Sequence, residues 1–374
     1  RVTYDATSGR TPKFEELLES DPPNSYLPSP ALSMPSFIYF TSGSTGKPKG
    51  VTHTHETLGW MIAATIPMLE LKPTDILLPG SSISHIAGSL FSLAGLAAGA
   101  RVDVARRIDG DELLPLLRST RSTKMVMLPA ALFSLIRDHN ATGDDFRSVA
   151  LCISGGDKVS AELEREYTAL AGHAIDESYG MSEIGITTLN PPSGENRIGS
   201  IGKLGNGYEG SVRADDGTEV PPDVEGRLWI KSPCTMVGYW NRPDATAETI
   251  IDGWLDTGDM MTYDSEGYLW FRGRKKQIIV HDGSNICPQE IEESLLEHPA
   301  VQDAGVIGIH DLIHGENVRA YITLRLGVEQ PTVAELIKFS RARVGYKAPE
   351  EIIVLDEMPL NATGKVDRVR LKQM

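Results

Sequence analysis

The run Thr41-Ser42-Gly43-Ser44-Thr45-Gly46-Lys47-Pro48-Lys49-Gly50 constrains this chain more than any other stretch of it. Three glycines, four hydroxyl residues and two lysines stand between an apolar stretch at 37–40 and a helix-like pattern that begins near Thr54. Glycines let a backbone turn so that several N–H groups converge on one point, and hydroxyls and lysines add donors and positive charge. The combination predicts a cradle for a polyphosphate. It is not a Walker A loop, which sets four residues between its first glycine and a Gly-Lys pair followed by Ser or Thr. Here Gly43 and Gly46 stand closer together, and Lys47 is followed by Pro48.

An anion cradle sits uneasily with the charge of the whole chain. The formal net charge is −15, which opposes non-specific nucleic-acid binding and predicts no nucleic-acid partner. A polyphosphate must therefore be held by local groups against an unfavourable global field. Cys152, Cys234 and Cys287 are few, odd in number and widely spaced. They form neither a disulfide framework nor a zinc signature, which points to a reducing cytoplasm. The uncharged stretch 86–100 is too short and too rich in Gly and Ser to span a bilayer. No signal peptide is visible.

With 374 residues the chain has room for two or three domains. From about 36 to 176 short apolar runs alternate with helical patterns. Stretches 125–128 and 149–153 read as buried strands, and Leu58, Met61, Ile62 and Thr65 recur at helical spacing, as do Leu132, Leu135 and Ile136. That alternation predicts an α/β fold built on a doubly wound sheet. From 194 to 271 Gly- and Pro-punctuated strands take over, 226–230 among them. Beyond Arg274 a compact α+β unit is expected, with helices over 291–296 and 333–341 and strands near Val306 and over 321–324.

Further motifs follow in order. They are Tyr179-Gly180-Met181-Ser182-Glu183, Gly238-Tyr239-Trp240, Trp254-Leu255-Asp256-Thr257-Gly258-Asp259, Gly273-Arg274-Lys275-Lys276, the stretch 283–292, and Thr363-Gly364-Lys365. With the glycine-rich run, this series resembles the adenylate-forming superfamily, in particular acyl-CoA synthetases. The resemblance spans essentially the whole chain. It implies a large AMP-binding domain over residues 1–273, its part at 194–271 a small β-barrel, and a smaller C-terminal domain over 277–374, with a hinge at 274–276. Members usually carry a longer segment before the phosphate loop, so the first part of the large domain is expected to be missing.

The resemblance also assigns roles. Thr41, Ser42, Gly43, Ser44, Thr45, Gly46 and Lys47 would hold the β- and γ-phosphates of ATP. Ser182 would bond the α-phosphate, and Glu183 would hold Mg2+. Magnesium needs few carboxylates when substrate oxygens complete its shell. Tyr179, within Glu177-Ser178-Tyr179-Gly180, would lie against the adenine, Gly155 and Gly156 would approach its other face, and Glu177 would accept from its amino group. Asp259 would take both ribose hydroxyls as an acceptor-only group, and Arg274 would contact the ribose. Lys365 would neutralise charge developing at the transferring phosphate. Lys276 marks the hinge on which the small domain swings, and Gly283 lies in the hairpin brought to the thiol tunnel.

His85, in Ser84-His85-Ile86, matches a histidine at the entrance of the acyl pocket, though a histidine among apolar residues is as readily a satisfied core residue. No Asp lies between Pro79 and Gly88 to pair with an amino group, which favours a carboxylate-bearing substrate without one. The histidines at 53, 55, 310 and 314 have no second ligand cluster, so Mg2+ is the one metal implied. The function implied is an AMP-forming acid–CoA ligase taking a small carboxylic acid, ATP and coenzyme A, in fatty acid metabolism or beside it. A homodimer fits it. The alternatives are an adenylation domain that loads a carrier protein and a non-catalytic nucleotide-binding module.

Overall fold

The computed structural model describes residues 29–41, 48–281, 284–311, 313–325, 327–361 and 365–374. Its centre is a seven-stranded sheet. In spatial order the strands are Arg101–Val102, Ile76–Gly80, Lys124–Met127, Leu151–Gly155, Asp176–Met181, Gly185–Leu189 and Lys203–Leu204. The first five run parallel and the last two antiparallel.

Alternation along these strands separates two cores, because successive side chains point to opposite faces. Leu77, Val126, Leu151 and Ile153 pack with Leu58 and Met61 of the helix His55–Met68 and with Leu90 of Ile86–Ala97. Leu78, Met125, Met127 and Cys152 pack on the other face with Leu117, Leu132 and Tyr167, from helices Gly110–Thr120, Pro129–Arg137 and Ala161–Ala171. The sheet is therefore doubly wound, as the strand–helix alternation predicts. Strand boundaries move by a residue or two. Leu128 leaves its strand because Pro129 opens the next helix and Leu128 precedes it as the cap.

A second, three-stranded sheet joins Pro35–Thr41 and Lys49–Thr54 antiparallel and adds Gly238–Tyr239 to the latter. Thr41 and Lys49 are register partners, so the glycine-rich run connects the two strands of a hairpin. A third sheet is antiparallel, with Gly226–Lys231 between Glu209–Arg213 and Trp254–Tyr263. The long Trp254–Tyr263 strand carries both Ile250–Ile251 and Leu269–Arg274 on its other side. Lys203–Leu204, expected with this sheet, instead closes the edge of the first.

After a 3-10 turn at Lys275–Gln277 comes a mixed sheet of Ser284–Ile286, Ile279–His281, Gly315–Leu324, Val301–Asp311 and Glu351–Val354. Helices Pro288–Leu296 and Val333–Val344 cover it, and Ile291, Val306, Ile322 and Leu336 lie in a core of its own. Among the described residues no helix is long and apolar enough to cross a membrane.

Candidate active site

In an open parallel sheet, ligands bind outside the carboxyl ends of the strands. Here that edge gathers the ends of Ile76–Gly80, Lys124–Met127, Leu151–Gly155 and Asp176–Met181. Gly155 ends its strand so close to the next that a Cβ would lie 2.4 Å from both the carbonyl oxygen and the hydroxyl of Ser178. Gly156 follows with φ +80°, a conformation that turns the chain away from the sheet. Glu177 braces this turn from below. Its carboxylate accepts from the N–H of Gly199 at 3.1 Å and from that of Val159 at 3.4 Å. Burial pushes the Glu177 carboxyl up to about 7. The carboxylate read in sequence as an adenine acceptor thus has two backbone donors of its own.

Tyr179 and Asp259 meet across the gap between the first and third sheets. The phenol donates to Asp259 Oδ2 at 2.5 Å. Asp259 is almost wholly buried, and its Oδ1, 3.1 Å from Arg274 Nε, accepts no hydrogen bond. Burial raises the Asp259 pKa, and the charge of Arg274 opposes the rise. Asp259 and Arg274 are register partners on Trp254–Tyr263 and Leu269–Arg274, which explains how two residues fifteen apart in sequence become an ion pair.

Ser182 and Glu183 occupy the turn after Asp176–Met181. Both are buried, although the turn faces the site. Tyr239 donates to Glu183 Oε1 at 2.8 Å, and Lys49 Nζ sits 4.6 Å from the centre of the Tyr239 ring. Burial raises the Glu183 pKa, while the Tyr239 bond, Arg274 and Lys49 lower it. The sequence reading placed Tyr239 in a motif and Lys49 in the cradle run but joined neither to Glu183. Neither contact is local, so no spacing could have revealed it.

Lys365 reaches the same edge from the far end of the chain. Its Nζ donates to the carbonyl oxygen of Gly156. Burial lowers its pKa, and the nearby carboxylate of Asp157 opposes that shift. A second contact between the two parts pairs Lys158 with Glu293 at 2.8 Å. His85 is exposed and caps the helix Ile86–Ala97, its Nδ1 accepting from Ala87 N at 3.3 Å. Partial desolvation of its ring and, less, the charge of Lys365 lower its pKa, although the residue as a whole is exposed. Ser42 to Lys47, Gly283, Thr363 and Gly364 lie outside the described residues, as does the side chain of Lys276. No group of three or more metal-ligating side chains occurs among the described residues. The Glu183 carboxylate is the hard oxygen donor there that would suit Mg2+ beside phosphate oxygens.

Residues 2–240 match the family model of the AMP-binding enzyme, and residues 290–365 match that of the AMP-binding enzyme C-terminal domain. The chain belongs to the AMP-binding enzyme family. This family member is 33% identical over 379 residues to the indoleacetate–CoA ligase of Aromatoleum aromaticum, covering 100% of this chain and 74% of that protein. It is 33% identical over 345 residues to a long-chain-fatty-acid–CoA ligase of Bacillus subtilis, covering 89% of this chain and 60% of that protein. Among solved structures it resembles the o-succinylbenzoate coenzyme A synthetase of Bacillus subtilis in complex with AMP. That match has a TM-score of 0.85 at 29% identity over 97% of this chain and 74% of the other. The chain therefore spans 60% to 74% of the length of these three proteins. With such relatives this AMP-binding enzyme falls in the acid–thiol ligase class of acyl-CoA synthetases.

Proposed function

We propose that this chain joins a carboxylic acid to coenzyme A in two steps, with ATP as the energy source. In the first, a carboxylate oxygen attacks the α-phosphorus of ATP, the bond to the bridging oxygen breaks, and pyrophosphate leaves. In the second, the thiol of coenzyme A attacks the acyl carbonyl carbon, and AMP departs with the electron pair of the broken C–O bond.

The observation that carries this reading is Asp259 Oδ1, which is buried and ion-paired with Arg274 at 3.1 Å yet accepts no hydrogen bond. A buried carboxylate oxygen without a donor costs free energy unless a ligand supplies one. A ribose offers two hydroxyl donors. Tyr179 holds the other oxygen and its ring lies beside the ribose position, where a purine can stack. Ser178 and Gly180 flank it. A Cβ on Gly180 would lie 2.4 Å from the Gly185 carbonyl, so the strand stays narrow there.

Charge builds on the phosphate oxygens during transfer, and positioned donors stabilise it. Lys365, Lys49 and Arg274 supply positive charge at an edge of an otherwise acidic protein. Thr41 and residues 42–47 would hold the terminal phosphates, and Ser182 the α-phosphate. Mg2+, held by Glu183, would neutralise charge on the leaving phosphates. For the second step the small domain turns about Lys276 and brings Gly283 to the thiol path. Three free cysteines, two of them buried, fit a cytoplasmic enzyme.

Acid-dependent pyrophosphate release by the full chain, measured over a panel of carboxylic acids with and without coenzyme A, tests the reading. Release with acyl-CoA formation supports it. Release without acyl-CoA at millimolar coenzyme A makes a carrier protein the acceptor, and no release with any acid overturns it.

A further inference from the structure

The Ser182–Glu183 turn is held by three carbonyl contacts. Met181 O accepts from Ile184 N at 3.1 Å, and Glu183 O accepts from Met236 N at 2.8 Å. The third differs in kind. Ser182 O accepts from the Nε2 of His53 at 2.8 Å, the one side-chain donor among the three.

His53 is completely buried, 129 residues away in sequence, on the strand Lys49–Thr54 that leaves the glycine-rich run. A carbonyl oxygen only accepts, so Nε2 carries the hydrogen and Nδ1 is the acceptor. Nδ1 lies 3.1 Å from Thr57 Oγ1. That hydroxyl accepts from Thr54 N at 3.1 Å, and for its own proton the imidazole Nδ1 is a nearer acceptor than the Thr54 carbonyl oxygen at 3.4 Å. The tautomer is thus set from one side by the first turn of the helix His55–Met68 and used on the other by Ser182. Burial also holds the His53 pKa below its ordinary value, with the Ser182 carbonyl opposing.

We infer that His53 is a positioning residue that fixes the Ser182–Glu183 turn against the phosphate-loop hairpin. It touches no substrate. Its ring is a strut between two elements that must grip the same polyphosphate, one from the loop side and one from the carboxylate side. The inference rests on the adenylate-forming reading of the site.

The test compares His53→Leu and His53→Gln in the full chain. Leucine approximates the ring volume but leaves the Ser182 carbonyl buried without a donor. Glutamine places an amide N–H where Nε2 stood. We expect His53→Leu to lower kcat for acid-dependent pyrophosphate release about 10- to 100-fold, in the range for supports of a metal-ligand turn. KM for ATP should change less than about threefold, since the ribose and adenine contacts are untouched. Coenzyme A-dependent turnover of a supplied acyl-adenylate should persist, and His53→Gln should recover most of the lost kcat. A wild-type kcat in folded His53→Leu overturns the inference, as does a loss confined to KM or a glutamine variant no better than leucine. If His53→Leu does not fold, His53→Met replaces it. That side chain also offers the Ser182 carbonyl no donor, and an unaltered kcat there overturns the inference equally. A wild-type chain that releases no pyrophosphate with any acid overturns the functional reading itself.

Discussion

Lys365 donates its ammonium to the carbonyl oxygen of Gly156, a residue 209 positions earlier in the chain. The contact brings the only lysine of the C-terminal Thr-Gly-Lys motif to the edge where Asp259 and Glu183 converge. Replacing Lys365 with Ala should therefore slow adenylate formation by about 10²–10³-fold, as for loss of one donor aimed at developing charge. Transfer from a supplied acyl-adenylate to coenzyme A should survive. Equal losses in the two half-reactions, measured by pyrophosphate exchange and by thioester formation, would remove the assignment.

On the proposed reading Asp259→Ala would strand the ribose hydroxyls, and it leaves the Tyr179 phenol without its acceptor. ATP affinity should fall by about 2–4 kcal/mol, the scale of two hydrogen bonds to a charged group. Calorimetric titration with ATP and Mg2+ reads the change directly. An unaltered affinity means that the ribose lies elsewhere.

A methyl group at residue 155 has nowhere to go, since the Ser178 backbone oxygen would stand 2.4 Å from it. Gly155→Ala should cost about 1–3 kcal/mol of stability through overpacking between two central strands. Thermal unfolding followed by circular dichroism gives the measurement, and an unchanged midpoint would mean that the strands part there easily.

The Lys158–Glu293 pair must break if the small domain swings. Both side chains are about one-third exposed, so the pair is worth about 0.5–1 kcal/mol and salt screens it. Glu293→Gln should then slow adenylate formation a few-fold at low ionic strength, with the difference shrinking in high salt. Thioester formation should hold steady or quicken. A slower second half-reaction would show that the pair belongs to both arrangements.

Glu177 gives a pH signature. Its folded pKa of about 7 lies above the ordinary 4.5. Between those values the folded chain holds a proton that the unfolded chain has lost. This share of stability is present below about pH 4.5 and fades as pH rises towards 7. Asp176, also pushed by burial to about 7, slopes the same way. Glu177→Gln should flatten the decline by its own share, as read from denaturation midpoints across pH 4.5 to 7.5. An unchanged slope would assign the whole decline to other groups.

Sequence carried much of this architecture because period and punctuation are local. The brief apolar runs at 125–128 and 149–153 marked buried strands, formed at Lys124–Met127 and Leu151–Gly155, and the helix His55–Met68 follows from Leu58, Met61, Ile62 and Thr65. The site was legible where a motif carries its own chemistry, as in Tyr179 to Glu183 and at Asp259. It was illegible where function depends on a distant partner. His53 stood in the sequence only among histidines lacking a second ligand cluster, yet it is buried with its Nε2 against the Ser182 carbonyl. Tyr239 was only part of a motif until its phenol met Glu183. Glu177 shows the converse, a residue whose type suited a ligand and whose oxygens met the backbone.

The contacts that assemble the site join residues 80, 129, 135 and 209 positions apart. Such contacts recover nothing until long loops have closed, so each is late and slow compared with helix formation. A ribosome-bound chain can therefore fold its parallel sheet and dock His53 on Ser182 well before Lys365 has left the exit tunnel. Until that lysine emerges, the nucleotide edge is present without its final cation. Of the residues gathered at this edge, Lys365 is thus the last to be synthesised, and on the proposed reading its arrival completes the site.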